Sequence, residues 1–138
     1  MTQSEWLSIL SRADANAVKA LAEAILPQLG AVTVLVNRIG LVMLPYTDSA
    51  HGTRFHLGEV LVSESHVRVQ DAGEGYGMCV GRDLEQSMAV ALLDAALQGK
   101  IASKQIEGFL AEQAEMLRRG DAELLCQVEA TRIEFETF

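Results

Sequence analysis

VGRDLEQ, residues 80–86, joins two patterns that belong to different kinds of secondary structure. Upstream, EGYGMCV (74–80) is short, glycine-studded and alternating, which predicts a strand. Downstream, SMAVALLDAAL (87–97) is long and almost wholly apolar, which predicts a helix from Asp83 to Gln98, stopped by Gly99. Two readings compete for the junction. A helix N-terminus with free N–H groups and partial positive charge can hold a phosphate, and Arg82 would add a forked donor. Alternatively Asp83 is simply the N-cap, completed as a capping box by Gln86 three residues on. An Asp carboxylate on the first amides fills the place an anion would take and repels it. The preceding GEGYG lacks the Gly-Lys-Ser/Thr ending of a P-loop, so the spacing favours the cap.

Working outward, Ser4–Arg12 reads as a short helix capped by Ser4, and Asp14 caps a second that ends at Pro27 and Gly30. AVTVLVN (31–37) alternates as a strand does. GLVMLPY (40–46) is a continuous apolar run, as expected of a strand buried on both faces. FHLGEVLVS (55–63) and HVRVQD (66–71) suggest a hairpin turning at Ser63–Ser65. After the apolar helix come a more polar helix, Ile101–Arg119, a third from Asp121, and a tail, RIEFETF, whose period of two predicts a final strand. The whole is α+β, an antiparallel sheet flanked by N-terminal and C-terminal helices in a single domain over residues 1–138.

Between Met88 and Leu97 only Asp94 is polar. Such a helix needs cover all round. Neighbouring helices of the same domain could supply it, or a partner chain approaching across Ala89, Ala91, Ala95 and Ala96. Asp94 itself then requires an arginine or a backbone donor, because an unpartnered buried carboxylate is costly.

Composition narrows the function. The chain has 138 residues, is 49% hydrophobic and carries a formal net charge of −8, which argues against a nucleic-acid backbone as main partner. No apolar run approaches the roughly 20 residues of a membrane span, and the N-terminus has no leader-like segment, so a cytoplasmic location is expected. Cys79 and Cys126 lie in no CxxC and read as small buried hydrophobes. The histidines, His51, His56 and His66, match no zinc spacing, and no metal site is expected. Glu59 and Glu64, five apart, point to opposite faces of a strand and read as surface or partner-contact residues. Arg54, beside Gly52 in HGTRF, and Arg82 are the candidates for binding phosphate. No nucleophile–base arrangement is legible, so no catalytic residue is assigned.

Five segments in order, GLVML (40–44), GTRFHLGEVLVS (52–63), GYGMCVGRD (75–83), ALLDAAL (91–97) and ATRIEFETF (130–138), resemble the PhnG family of the bacterial carbon–phosphorus lyase core complex. Arg54, Gly58, Glu59, Gly81, Arg82, Asp83, Asp94 and Arg132 match family positions as they stand. Glu64 departs, standing where the family commonly has an arginine, and the loop PYTDSAHGTR (45–54) departs as well. The resemblance implies a subunit required with PhnH, PhnI and PhnL for an alkylphosphonate to displace adenine from ATP. The product is a ribose 1-phosphonate 5-triphosphate, and the activity is that of an α-D-ribose 1-methylphosphonate 5-triphosphate synthase. It implies two copies in a symmetric assembly with PhnH, PhnI and PhnJ, no cofactor on this chain, and chemistry carried by PhnI and PhnJ. Glu59, Arg82, Asp83, Asp94 and Arg132 become candidate partner contacts. Two alternatives remain: a stand-alone phosphate- or nucleotide-binding or transferase domain using Arg54 and Arg82, and an acidic dimer unconnected with phosphonates.

Overall fold

The computed structural model describes residues 1–47 and 50–136, without the side chains at 46, 55–57 and 132–136. In chain order it has α1 (Gln3–Arg12), α2 (Ala15–Leu29), β1 (Val32–Thr47), β2 (Arg54–Val69), β3 (Gly73–Val80), α3 (Leu84–Gln98) and α4 (Ser103–Glu136). The strands form an antiparallel sheet in the order β1-β2-β3, so the class is α+β.

The apolar helix is α3, and its cover comes from its own chain. Ser87 and every residue from Ala89 to Ala96 are buried, between β2 and β3 on one side and α2, α1 and the start of α4 on the others. Of the two covers open to it, α3 takes the one within its own domain and is the centre of the core. Leu10, Val18, Ile25, Leu29, Val67, Val69, Ile106 and Leu110 close around it. The approach to the sheet is possible because β3 presents glycine there. A Cβ on Gly75 would stand 2.0 Å from the Ala91 carbonyl oxygen, and one on Gly77 2.3 Å from that of Ser87. Facing alanines on α3 complete the close fit.

The handover at residues 80–83 is a turn made by Gly81 at φ +108, a conformation that side-chain-bearing residues rarely adopt. The Gly81 N–H donates to the Leu61 carbonyl at 2.9 Å, tying the turn to β2. Asp83 then caps α3. Asp14 caps α2 as its position implies, whereas α1 is capped by Thr2, two residues before Ser4, with Glu5 returning the bond in a capping box. Pro27 lies inside the last turn of α2 rather than ending it, and Gly30 is the cap.

Three expectations are overturned. First, Ser63–Ser65 is no hairpin but the middle of β2. Both serines face α3 with partners in place: Ser65 Oγ donates to Asn37 Oδ1 at 2.9 Å and lies 2.9 Å from Ser87 Oγ, and Ser63 Oγ donates to the Cys79 carbonyl. Small hydroxyls read as a turn because they favour turns, but satisfied hydroxyls also let a helix lie close to a strand. Second, the two strands expected at 31–37 and 40–46 are one, Val32–Thr47, and its apolar run is open rather than buried: Leu41 is 61% exposed and Met43 53%. Third, the tail is helix, not strand. α4 runs unbroken for 34 residues through Gly108 and Gly120, and residues 137–138 lie outside the described residues.

Because β3 pairs only with Val62–Val69, the outer parts of β1 and β2 form a two-stranded ribbon, Leu41–Thr47 against Arg54–Leu61. It runs about 26 Å beyond the three-stranded sheet at ~3.3 Å per residue.

Gly77→Ala should lower unfolding free energy by about 3 kcal/mol, because neither the Ser87 carbonyl nor the helix backbone can retreat without opening the core. Urea unfolding measures it, and an unchanged midpoint would show that α3 sits less tightly than described. Gly58, where an added Cβ meets nothing within 4 Å, is the control.

Candidate functional site

The junction resolves in favour of the cap. Asp83 accepts from the Gln86 N–H at 3.1 Å and pairs with Lys19 of α2 at 2.6 Å. The Lys19 ammonium and the Gln86 amide hold the Asp83 carboxyl below its ordinary range, and the same pair raises Lys19. The amides of the first turn thus face a carboxylate that already has its cation. Next to this pair a groove of about 300 Å³ opens between α2, α3 and β1, floored by Ala22, Met88 and Leu92 and edged by Lys19, Glu23 and Glu85. Its lip carries both signs of charge, so it offers no concentrated positive field for an anion.

Arg82 is exposed beside the cap, while Arg54 is exposed at the far end of the ribbon, opposite Thr47. Gly81 sits at the level of Leu61, seven residues along β2 from Arg54, or about 23 Å of strand. The two candidate phosphate ligands do not converge. Glu59 is exposed on the ribbon opposite Met43. Arg132 lies on the last turns of α4, its side chain outside the described residues, as is that of His56. His56 and His66 occupy one strand ten residues apart, and among the described residues no group of three or more His, Cys, Asp or Glu is arranged to hold a metal ion. Cys79 is buried and its thiol is pushed up to about 11, mainly by burial, whereas Cys126 is exposed, contrary to expectation.

Asp94 has the backbone donor its burial demands, but not the partner contact that the resemblance suggested. It is wholly buried in this chain and presents nothing to a partner. No arginine meets it. Its oxygens accept from the Trp6 indole N–H at 2.7 Å, the Tyr76 backbone N–H at 2.9 Å, and the side-chain amides of Gln98 at 3.0 Å and Gln3 at 3.4 Å. Neutral donors from α1, β3 and α3 thus converge on one carboxyl group and satisfy its oxygens without a cation.

Glu64 is also accounted for. It accepts from Arg38 at 2.9 Å and from the Tyr76 hydroxyl at 2.5 Å. The Tyr76 hydroxyl, followed by Arg38, keeps Glu64 below its usual range, while burial and the Glu64 bond push Tyr76 up to about 12. The reversed charge is neutralised inside the chain. Beside it, His66 and Arg68 both contact Glu74, at 3.1 and 2.9 Å.

Two surfaces escaped the sequence reading. One is the ribbon, on which Leu41 and Met43 alternate with Val42 and Leu44, all exposed, so both faces are apolar. The other is the outer part of α4, where Leu124, Leu125 and Val128 are exposed. The unbroken apolar run 39–44 was the available signal, misread because an uncovered two-faced strand and a buried one look alike in sequence.

The family model described as phosphonate metabolism protein PhnG matches residues 1–138, the whole chain. The chain belongs to the PhnG family. Its role accordingly lies in phosphonate metabolism. No helix among the described residues of this PhnG-family chain is long and apolar enough to cross a membrane.

Two variants test the site. Asp94→Asn places an amide N–H against the donors that Asp94 now accepts from, and should cost about 2 kcal/mol. Trp6 is the only tryptophan and bonds to Asp94, so its fluorescence follows both the local change and unfolding. Wild-type stability together with an unmoved spectrum would refute this role. Asp83→Ala should cost about 1 kcal/mol through the lost cap, and Asp83→Asn less, since Asn caps but cannot pair with Lys19. Asp83 is lowered in the folded state, so its charge stabilises above the ordinary value of 3.8 and that contribution is lost as pH falls through the lowered value. The gap between wild type and Asp83→Asn should therefore be full at pH 7 and close with acidification. A gap that widens in acid is the contrary result.

Proposed function

We propose that this PhnG-family chain serves as a non-catalytic assembly subunit of a cytoplasmic carbon–phosphorus lyase complex. In that complex, PhnG with PhnH, PhnI and PhnL makes possible the transfer of the ribose triphosphate of ATP to an alkylphosphonate, with release of adenine. The chain would join PhnH, PhnI and PhnJ as two copies in a symmetric core, and the substrates, ATP and the phosphonate, would be handled by the assembly.

The observation that carries this reading is the ribbon. A two-stranded ribbon is marginal in water at best, and one with exposed apolar side chains on both faces is stabilised by being enclosed. A groove in a partner does this; a small ligand does not. The separation of Arg54 from Arg82, and the occupation of the α3 amides by Asp83, weigh against a self-contained phosphate site. Glu59, on the same ribbon, is the polar contact best placed for a partner.

Co-expression with PhnH, PhnI and PhnJ homologues should yield one assembly that retains the chain through sizing. Leu41→Asp combined with Met43→Asp should reduce its retention at least tenfold while leaving the α3 core, far from the ribbon, folded. A chain that elutes apart from those subunits, or a ribbon variant retained as well as wild type, would defeat the proposal.

A further inference from the structure

The face by which α4 packs on the body does not stop where the body stops. Ile106 and Leu110 are buried at 0% and 1% exposure, and Gln113 at 7%. Continuing at steps of three and four residues, the same helix face carries Leu117, Asp121, Leu124 and Val128. Asp121 meets Arg12 of α1 at 3.1 Å, with both side chains well exposed. From Arg118 to Thr131 every residue is exposed, which is about 20 Å of helix at 1.5 Å per residue. An uncovered helix of this length is marginal in water. The exposed stripe Leu124, Leu125 and Val128 is a core face without its core.

We infer that the outer part of α4 docks, as a helix, into a partner groove with an apolar floor and a rim of Lys and Arg. This rests on the complex proposed above and deepens it: the ribbon is one contact and the helix a second, separate one. Charge selects the occupant. Residues 121–136 hold five acids, Asp121, Glu123, Glu129, Glu134 and Glu136, against the single base Arg132. At about 100° per residue Asp121 lies in line with the stripe, Glu129 about 90° to one side of its centre and Glu123 about 150° to the other, so acids stand at its start and along one edge, with Glu123 on the far side of the helix. A second copy packed on the stripe would bring acid against acid in a chain whose net charge is already −8, which is unfavourable. An anionic membrane is disfavoured for the same reason, since helices that lie on such surfaces carry basic polar faces. A groove rimmed by basic side chains satisfies both the apolar and the acidic features.

Cys126 is exposed but lies about 150° round the helix from the centre of the stripe, and Cys79 is buried, so Cys126→Ser combined with Val128→Cys puts a single accessible thiol on the stripe itself. The full chain carrying both changes, co-expressed with PhnH, PhnI and PhnJ, should show maleimide alkylation slowed at least tenfold in the assembly relative to the free chain. Leu124→Glu with Val128→Glu should cut retention in the assembly at least tenfold, with an unchanged urea midpoint for the free chain because both sites are already exposed. Glu123→Lys with Glu129→Lys should weaken retention at low salt, with less loss as salt is raised. If wild type assembles yet the thiol placed at residue 128 reacts equally fast in the assembly and both charge variants are retained, docking by the helix is overturned while the complex stands. A concentration-dependent dimer of the free chain, abolished by Leu124→Glu with Val128→Glu, overturns it in favour of a second copy. Failure of wild type to assemble at all overturns the complex, and the helix contact with it.

Discussion

One carboxylate sets the relative positions of most of this fold. Asp94 sits where α1, α3 and β3 meet, and it is held by an indole N–H, a main-chain N–H and two side-chain amides rather than by a cation. A buried charge is tolerable only when its hydrogen-bonding capacity is met. Meeting it requires Trp6, Tyr76 and Gln98 to occupy particular places at once. The demand is geometric as well as energetic. α1 must lie across the end of α3 and β3 must run close beneath it, which in turn requires Gly75 and Gly77 where any side chain would strike the helix backbone. The close sheet–helix contact and the buried acid are thus two aspects of a single constraint.

The same constraint explains why α3 reads ambiguously in sequence. A helix apolar on all sides signals enclosure, but not by which molecule. The residues that decide it, glycines at 75 and 77 and serines at 63 and 65, are small and sequentially scattered. Seen singly, they suggest turns. Seen across the sheet, they form a shallow bed for the helix. Local chemistry with local consequences was legible: the Asp83 and Asp14 caps, the α+β class and the interior character of Asp94. Long-range consequences were not. β1 and β2 are each twice as long as their patterns suggested because strand length is set by pairing across the sheet, and α4 continues through two glycines because nothing after them offers a competing structure.

The functional residues divide in the same way. Arg82, Asp83 and Glu59 are placed near the surface by short-range signals, and their positions follow the sequence. Whether Arg54 meets Arg82 depends on where β2 ends relative to the turn at Gly81, and the long ribbon separates them. Glu64 shows the converse case. Its charge stands out when the chain is read linearly, yet Arg38 and Tyr76, both on neighbouring strands, absorb it. Membership of the PhnG family places the chain in phosphonate metabolism, and the uncovered apolar surfaces give that membership a physical counterpart. The body of the protein is complete, while its two projections are not.

The open edge of β1 has a bearing on the life of the polypeptide in a cell. Over sixteen residues that strand carries one charge, Arg38, and ends in a run of greasy side chains. Flat edges with so few charges are templates for stacking with their own kind. A newly made copy is therefore safest when it is scarce, and its translation has to be matched to the supply of whatever shields that edge. At high concentration and without that shield, edge-to-edge stacking competes with the folded single copy.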